Sequence, residues 1–81
     1  MENQEIQMLS NFEKDSEWFY DHMDELRKKG FTGKFVAVKN QKPVASDKNI
    51  DKVIGELDKQ GENPSFLFIE FVHPEGYVLL L

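Results

Sequence analysis

The sequence predicts a small α+β domain of the order α-ββ-α-ββ, with a mainly antiparallel four-stranded sheet and two amphipathic helices. Three observations predict it. Apolar residues recur at helical spacing in two separate segments, around Phe12–Leu26 and Ile50–Leu57. Two other segments alternate at strand spacing, each broken by a short turn. Finally, 81 residues leave room for one hydrophobic core and no second one. The domain is expected over residues 10–81, with residues 1–9 as a frayed lead-in.

The first helix carries Phe12, Phe19, Met23 and Leu26 on one stripe, extended backwards by Met8. Ser10-Asn11-Phe12-Glu13 fits a capping box, and Ser16 is a second candidate start. The basic turn Arg27-Lys28-Lys29 followed by Gly30 predicts the helix end, with glycine in the left-handed position. Trp18 and Tyr20 fall off the stripe on opposite sides.

Phe35–Lys39 reads as a strand, Asn40-Gln41-Lys42 as a turn and Pro43–Ser46 as the hairpin partner. Pro43 cannot donate to a ladder, which places this second strand at an edge or starts it there. Asp47 or Asn49 caps a second helix whose apolar face is Ile50, Val53, Ile54 and Leu57. Gly61 and Pro64 stop it. A final hairpin is expected from Phe66 to Leu81, turning at His73-Pro74-Glu75-Gly76.

That last hairpin is apolar on both faces: Leu67, Ile69 and Phe71 on one, Phe66, Phe68 and Val72 on the other. The first strand repeats the pattern, with Val36 and Val38 opposite Phe35 and Ala37. Each face needs a cover. Either one helix covers each, or both share a face and the other packs on a second subunit; the sequence favours the second arrangement. The expected core is Leu26, Val38, Ile54, Ile69 and Phe71.

Charge is segregated along the chain. Residues 1–26 carry −7, residues 27–52 carry +6 and residues 53–81 carry −4, for a net charge of −5. Acids early in the first helix and bases at its end complement the helix dipole, which accounts for part of this pattern. Nucleic-acid binding through residues 27–52, with Phe31 and Phe35 as stacking platforms, conflicts with the acidic total, because phosphate neutralisation drives such affinity.

The chain lacks cysteine and therefore disulfides. Its acidic start, Met1–Glu5, is the opposite of a signal peptide. The longest apolar run, Tyr77–Leu81, is far short of the roughly 20 residues that span a bilayer. A cytoplasmic protein without membrane contact is the expectation.

No chemistry-bearing constellation emerges. Asp21, His22 and Glu25 share a helix surface, but a metal site needs three or four converging ligands, and acids on a solvated helix face account for them. His73 beside Glu75 sits in a turn whose Pro74 and Gly76 turn geometry already explains. Gly30-Phe31-Thr32-Gly33-Lys34 fails as a phosphate loop: its glycines are too close, Phe35 follows the lysine, and it links helix to strand. The expectation is therefore no catalytic residue, no metal and no cofactor.

Gly33-Lys34-Phe35-Val36-Ala37-Val38, followed by Val44-Ala45 and a short helix, resembles a small, functionally uncharacterised domain family of bacteria and archaea. Members show a Gly-Lys-aromatic-Val-Ala-Val strand, a hairpin, a helix like Ile50–Leu57 and a closing apolar strand, a likeness spanning about residues 31–81. Phe35 stands where such sequences often have Trp. The resemblance implies an archaeal or bacterial cytosolic protein and transfers no catalytic residue.

The functional expectation is a non-enzymatic protein-interaction or regulatory module, binding a protein partner or a second copy through Phe66, Phe68, Tyr77 and Leu79. The alternative is a pocket for a small hydrophobic ligand lined by Phe66, Phe68 and Tyr77.

Overall fold

The computed structural model describes residues 4–74, with side chains from Ser10 onward. Helix α1 spans Gln4–Asp21, α2 Met23–Lys28, strand β1 Phe35–Lys39, β2 Lys42–Asp47, α3 Ile50–Lys59 and β3 Phe68–Phe71, with a 3-10 turn at Pro64–Phe66 before β3. The described residues thus form an α+β fold with a three-stranded antiparallel sheet of order β2-β1-β3. The expected fourth strand, Tyr77–Leu81, lies outside the described residues.

Both chain breaks that glycine predicts are present and have the same construction. After α2, Gly30 takes φ 94°; its N–H donates to Arg27 O and that of Phe31 to Leu26 O, each at 3.1 Å. After α3, Gly61 takes φ 80°, with Gly61 N–H on Asp58 O at 3.0 Å and Glu62 N–H on Leu57 O at 2.9 Å. These are Schellman closures, and the positive φ is what favours glycine there. Asn49 is the cap of α3, its side chain accepting from Asp51 N at 2.8 Å.

The first helix departs from expectation at both ends. It already runs from Gln4, so Ser10 lies in its interior and caps nothing. The strong helix formers Gln4, Glu5, Gln7, Met8 and Leu9 carry the helix back past that serine. The single helix expected as far as Gly30 is interrupted at His22 (φ −109°, ψ 22°). There the backbone N–H of His22 keeps its helical bond to Trp18 O at 3.0 Å, and ring Nδ1 donates to the same carbonyl at 2.8 Å.

β1 is central, and Val36, Ala37 and Val38 are each fully buried. Its turn to β2 uses positive φ at Asn40 and Gln41. Gln41 N–H donates 2.8 Å to the carboxylate of Asp15, the only buried charged residue among those described, so α1 holds the hairpin tip. Ala37 pairs with Ala45 but Val38 with Pro43, leaving Val44 as a bulge. As expected, Pro43 lies on an edge strand.

The alternation of the strands reads correctly, but the arrangement favoured for the helices does not hold. Val36, Val38, Phe68 and Val72 pack with Phe19 of α1 and Leu26 of α2. Ala37 packs with Val53 and Leu57 of α3 on the other face. Helices therefore cover opposite faces instead of sharing one. The reason lies in β1: a central strand apolar on both sides needs a cover on each.

Two further corrections concern the core. Ile54 was expected inside and is 36% exposed, and Ile50 is 40% exposed. Ile69 and Phe71 are half-buried rather than buried, whereas Leu26 and Val38 are in the core.

Candidate interaction surface

Of the four residues expected to bind a partner, the two that are described, Phe66 and Phe68, differ in exposure. Phe66 belongs to the 3-10 turn and is 58% exposed. Phe68 is buried: its ring lies 5.3 Å from those of Phe12 and Phe19 and 6.2 Å from that of Tyr20. The 3-10 turn takes Phe66 out of the strand, whereas Phe68 opens β3 and packs as a core residue beneath α1. Tyr77 and Leu79 lie outside the described residues.

The polar candidates are also dispersed. His22 stacks on Trp18 with ring centroids 4.7 Å apart, and its Nε2 is 3.9 Å from Glu25 Oε1. His73 follows β3; its carbonyl accepts from Arg27 Nε at 2.8 Å, and its ring sits edge-on to Phe71 at 5.0 Å. Among the described residues, no group of three His, Asp or Glu side chains could hold a metal ion. Glu75 lies outside them. Tyr20 is held above its usual pKa by burial first, then by the negative charge of Glu70 and the hydrogen bond to it. The described hollows are open, and one is lined by Asp24, Arg27, Lys28 and Thr32, so none matches an apolar ligand pocket. Among the described residues, no helix is long and apolar enough to cross a membrane.

A different surface emerges from how α3 sits. The helix packs chiefly over β2 and β1. Gln60 Nε2 donates 2.9 Å to Val44 O, and Ser46 and Asp47 share a hollow with Lys52 and Glu56, so this flank of α3 faces β2. At about 100° per residue, Ile50 and Ile54 then project from the opposite flank, toward β3.

The chain order fixes where they meet the sheet. α3 leaves the end of β2, level with the Phe35–Phe71 pair, and returns to the start of β3. Ile50 therefore lies toward Phe35 and Phe71, whose ring centroids are 5.1 Å apart, and Ile54 toward Ile69. Ile50 and Ile54 thus stand exposed on the flank of α3 nearer β3, and Phe66 is exposed at the far end, in the 3-10 turn that leads into β3. At that same end Lys39 Nζ meets Glu62 Oε2 at 2.6 Å.

The sequence contained the signal for this surface. Ile50, Val53, Ile54 and Leu57 make a wide apolar stripe, and the narrow central strand needs only Val53 and Leu57 to seal Ala37. Ile54 is expected in the core from sequence because sequence gives stripe width but not the lateral position of a helix on a sheet.

Comparison with curated proteins and with solved structures finds no match. A family model described as "Family of unknown function (DUF5678)" matches residues 23–72, which run from α2 through β3 and leave α1 outside. That span covers more than half of the chain, and the protein belongs to this family of unknown function.

Proposed function

We propose that the protein is a non-enzymatic protein-interaction module that docks a partner through the apolar trough between α3 and β3. The observation that carries this reading is the flank of α3, where Ile50 and Ile54 remain 40% and 36% exposed beside the half-buried Ile69 and Phe71. Clustered exposed apolar side chains on a small domain mark interaction sites, whereas scattered ones mean little. A bound partner gains hydrophobic free energy from burying them.

The test is affinity capture from the source organism with wild-type protein and with an Ile50→Gln/Ile54→Gln double variant. Both need the same helical circular dichroism before comparison. A partner enriched by wild type and lost from the variant is the expected result. Equal recovery by both proteins, or no enrichment by either, overturns the reading.

A further inference from the structure

The trough has an electrostatic border: the flank of α3 toward β3 carries acids, whereas the flank toward β2 carries both signs. Helical spacing places the exposed Asp51 and Asp58 beyond Ile50 and Ile54, on the solvent side of the β3-facing flank. The exposed Lys52 and Lys59 occupy the β2-facing flank instead, where they line one hollow with Ser46, Asp47, Gly55 and Glu56. The lysines thus lie away from the trough.

We infer that the partner element seated in the trough is a basic amphipathic helix, with an apolar face on Ile50, Ile54, Ile69 and Phe71 and Lys or Arg against Asp51 and Asp58. This inference rests on the docking reading above. The shape suits a helix: α3 has ten residues, and at about 1.5 Å per residue its flank offers room for roughly three turns alongside it. Helix-in-groove recognition uses such apolar anchors, and charges at the rim select the partner and its orientation.

A second copy fits the trough poorly. Two-fold pairing with the α3 helices face to face would bring Asp51 and Asp58 of one copy against those of the other, a like-charge clash. Pairing the acidic flank with the Lys52 and Lys59 flank is a head-to-tail contact, which joins copies into a ring or a filament. The other long helix, α1, is itself acidic, with Glu13, Asp15, Glu17 and Asp21 against Lys14. Neither α1 nor α3 therefore offers a basic helix to the trough.

The inference is tested with three fluorescein-labelled synthetic helical peptides, identical on a leucine face and carrying Lys, Gln or Glu on the other. Fluorescence anisotropy with the full-length protein reads their affinities. The Lys peptide is expected to bind about tenfold more tightly than the Glu peptide at low salt, with the Gln peptide between them. Added salt narrows the gap. Asp51→Lys/Asp58→Lys should reverse the ranking, and Ile50→Gln/Ile54→Gln should weaken all three.

Equal binding of the three peptides overturns the charge inference while leaving the docking surface in place. Discrimination lost in Glu13→Lys/Glu17→Lys but kept in Asp51→Lys/Asp58→Lys assigns the effect to α1 and overturns it as well. Binding indifferent to Ile50→Gln/Ile54→Gln removes the trough itself, and the docking reading falls with it. Binding seen only in a variant shortened after Glu75 assigns the trough to the chain's own end and also overturns the inference.

Discussion

The two faces of the sheet are built to different standards. Under α1 and α2, Phe19, Leu26, Val36, Val38, Phe68 and Val72 form a continuous buried cluster, with Trp18, Met23 and Phe31 packed at its margin. Under α3 the buried set is Ala37, Val53 and Leu57, surrounded by the half-buried Phe35, Val44, Ala45, Leu67 and Ile69. One face seals with large aromatic and aliphatic side chains; the other closes a small centre and leaves a wide apolar margin. The difference shows that cover depends on where a helix crosses the sheet as well as on how apolar it is. α3 connects β2 to β3 across β1 and sits toward β2, so β3 is left half-covered on that side.

The largest expected effect lies on the sealed face. Phe19 is fully buried, and its ring packs edge-on against Phe68 at 5.3 Å. Phe19→Ala should cost about 3–5 kcal/mol, a large share of the roughly 5–15 kcal/mol available to a small domain. Thermal or denaturant unfolding measures it. A loss below about 1 kcal/mol would mean that α1 does not seal the sheet. This residue lies outside the span matched by the family model, so the test also shows how much of the core depends on the segment before it.

The comparison sharpens with Leu57→Ala on the other face. Leu57 is fully buried beside Val53 and Ala37, and the change should cost about 2–3 kcal/mol, toward the low end for Leu→Ala because the open margin lets neighbours relax into the space. A cost above that of Phe19→Ala would reverse the ranking of the two faces. Phe71→Ala should cost less again. Read from sequence as a core residue, Phe71 carries the full penalty for a buried aromatic; half-buried, with Phe35 at 5.1 Å, it should lose about 1–2 kcal/mol by the same protocol.

Those cases show where sequence is a sufficient guide. Turns and caps were legible because their chemistry is local: Gly30 and Gly61 close helices, Asn49 caps one, and Pro43 marks an edge strand. The pleat was legible too, since alternation alone assigns Val36 and Val38 opposite Ala37. The helix break at His22 was not, because no glycine or proline marks it in the sequence. Nor was the position of Phe66, where Pro64 and the Asn63 cap replace the expected strand with a 3-10 turn. The two described surface candidates diverge for a related reason. Phe66 and Phe68 look equivalent in sequence, and only tertiary packing buries one of them.

A smaller, pH-dependent difference separates the rims of the two faces. On the α1 side, Tyr20 is hydrogen-bonded to Glu70, and burial together with that carboxylate raises its pKa. The fold therefore favours the neutral phenol. This contribution is present below the ordinary tyrosine range and is lost as pH rises through the raised value of the folded state. Tyr20 is more than half exposed, so the effect is modest. Glu70→Gln should lower the Tyr20 midpoint in a phenolate absorbance titration, with Tyr20→Phe identifying which transition belongs to this residue and not to Tyr77. An unchanged midpoint would show that the carboxylate is not felt there.

The smallest stability effect is expected where the functional reading is concentrated. Ile54 projects from α3 with 36% of its surface exposed, and glutamine keeps helix propensity and part of the aliphatic stem. Ile54→Gln should therefore cost about 1 kcal/mol or less in denaturant unfolding. Its consequence for docking should be large, since apolar anchors dominate small interfaces and a buried amide without a partner opposes binding. The ratio of the two effects separates the roles of the faces. A core residue loses stability and takes binding with it; a docking residue loses binding alone. If Ile54→Gln destabilises the domain as severely as Leu57→Ala, the isoleucine flank is part of the core, and the contrast between a sealed face and a docking face disappears.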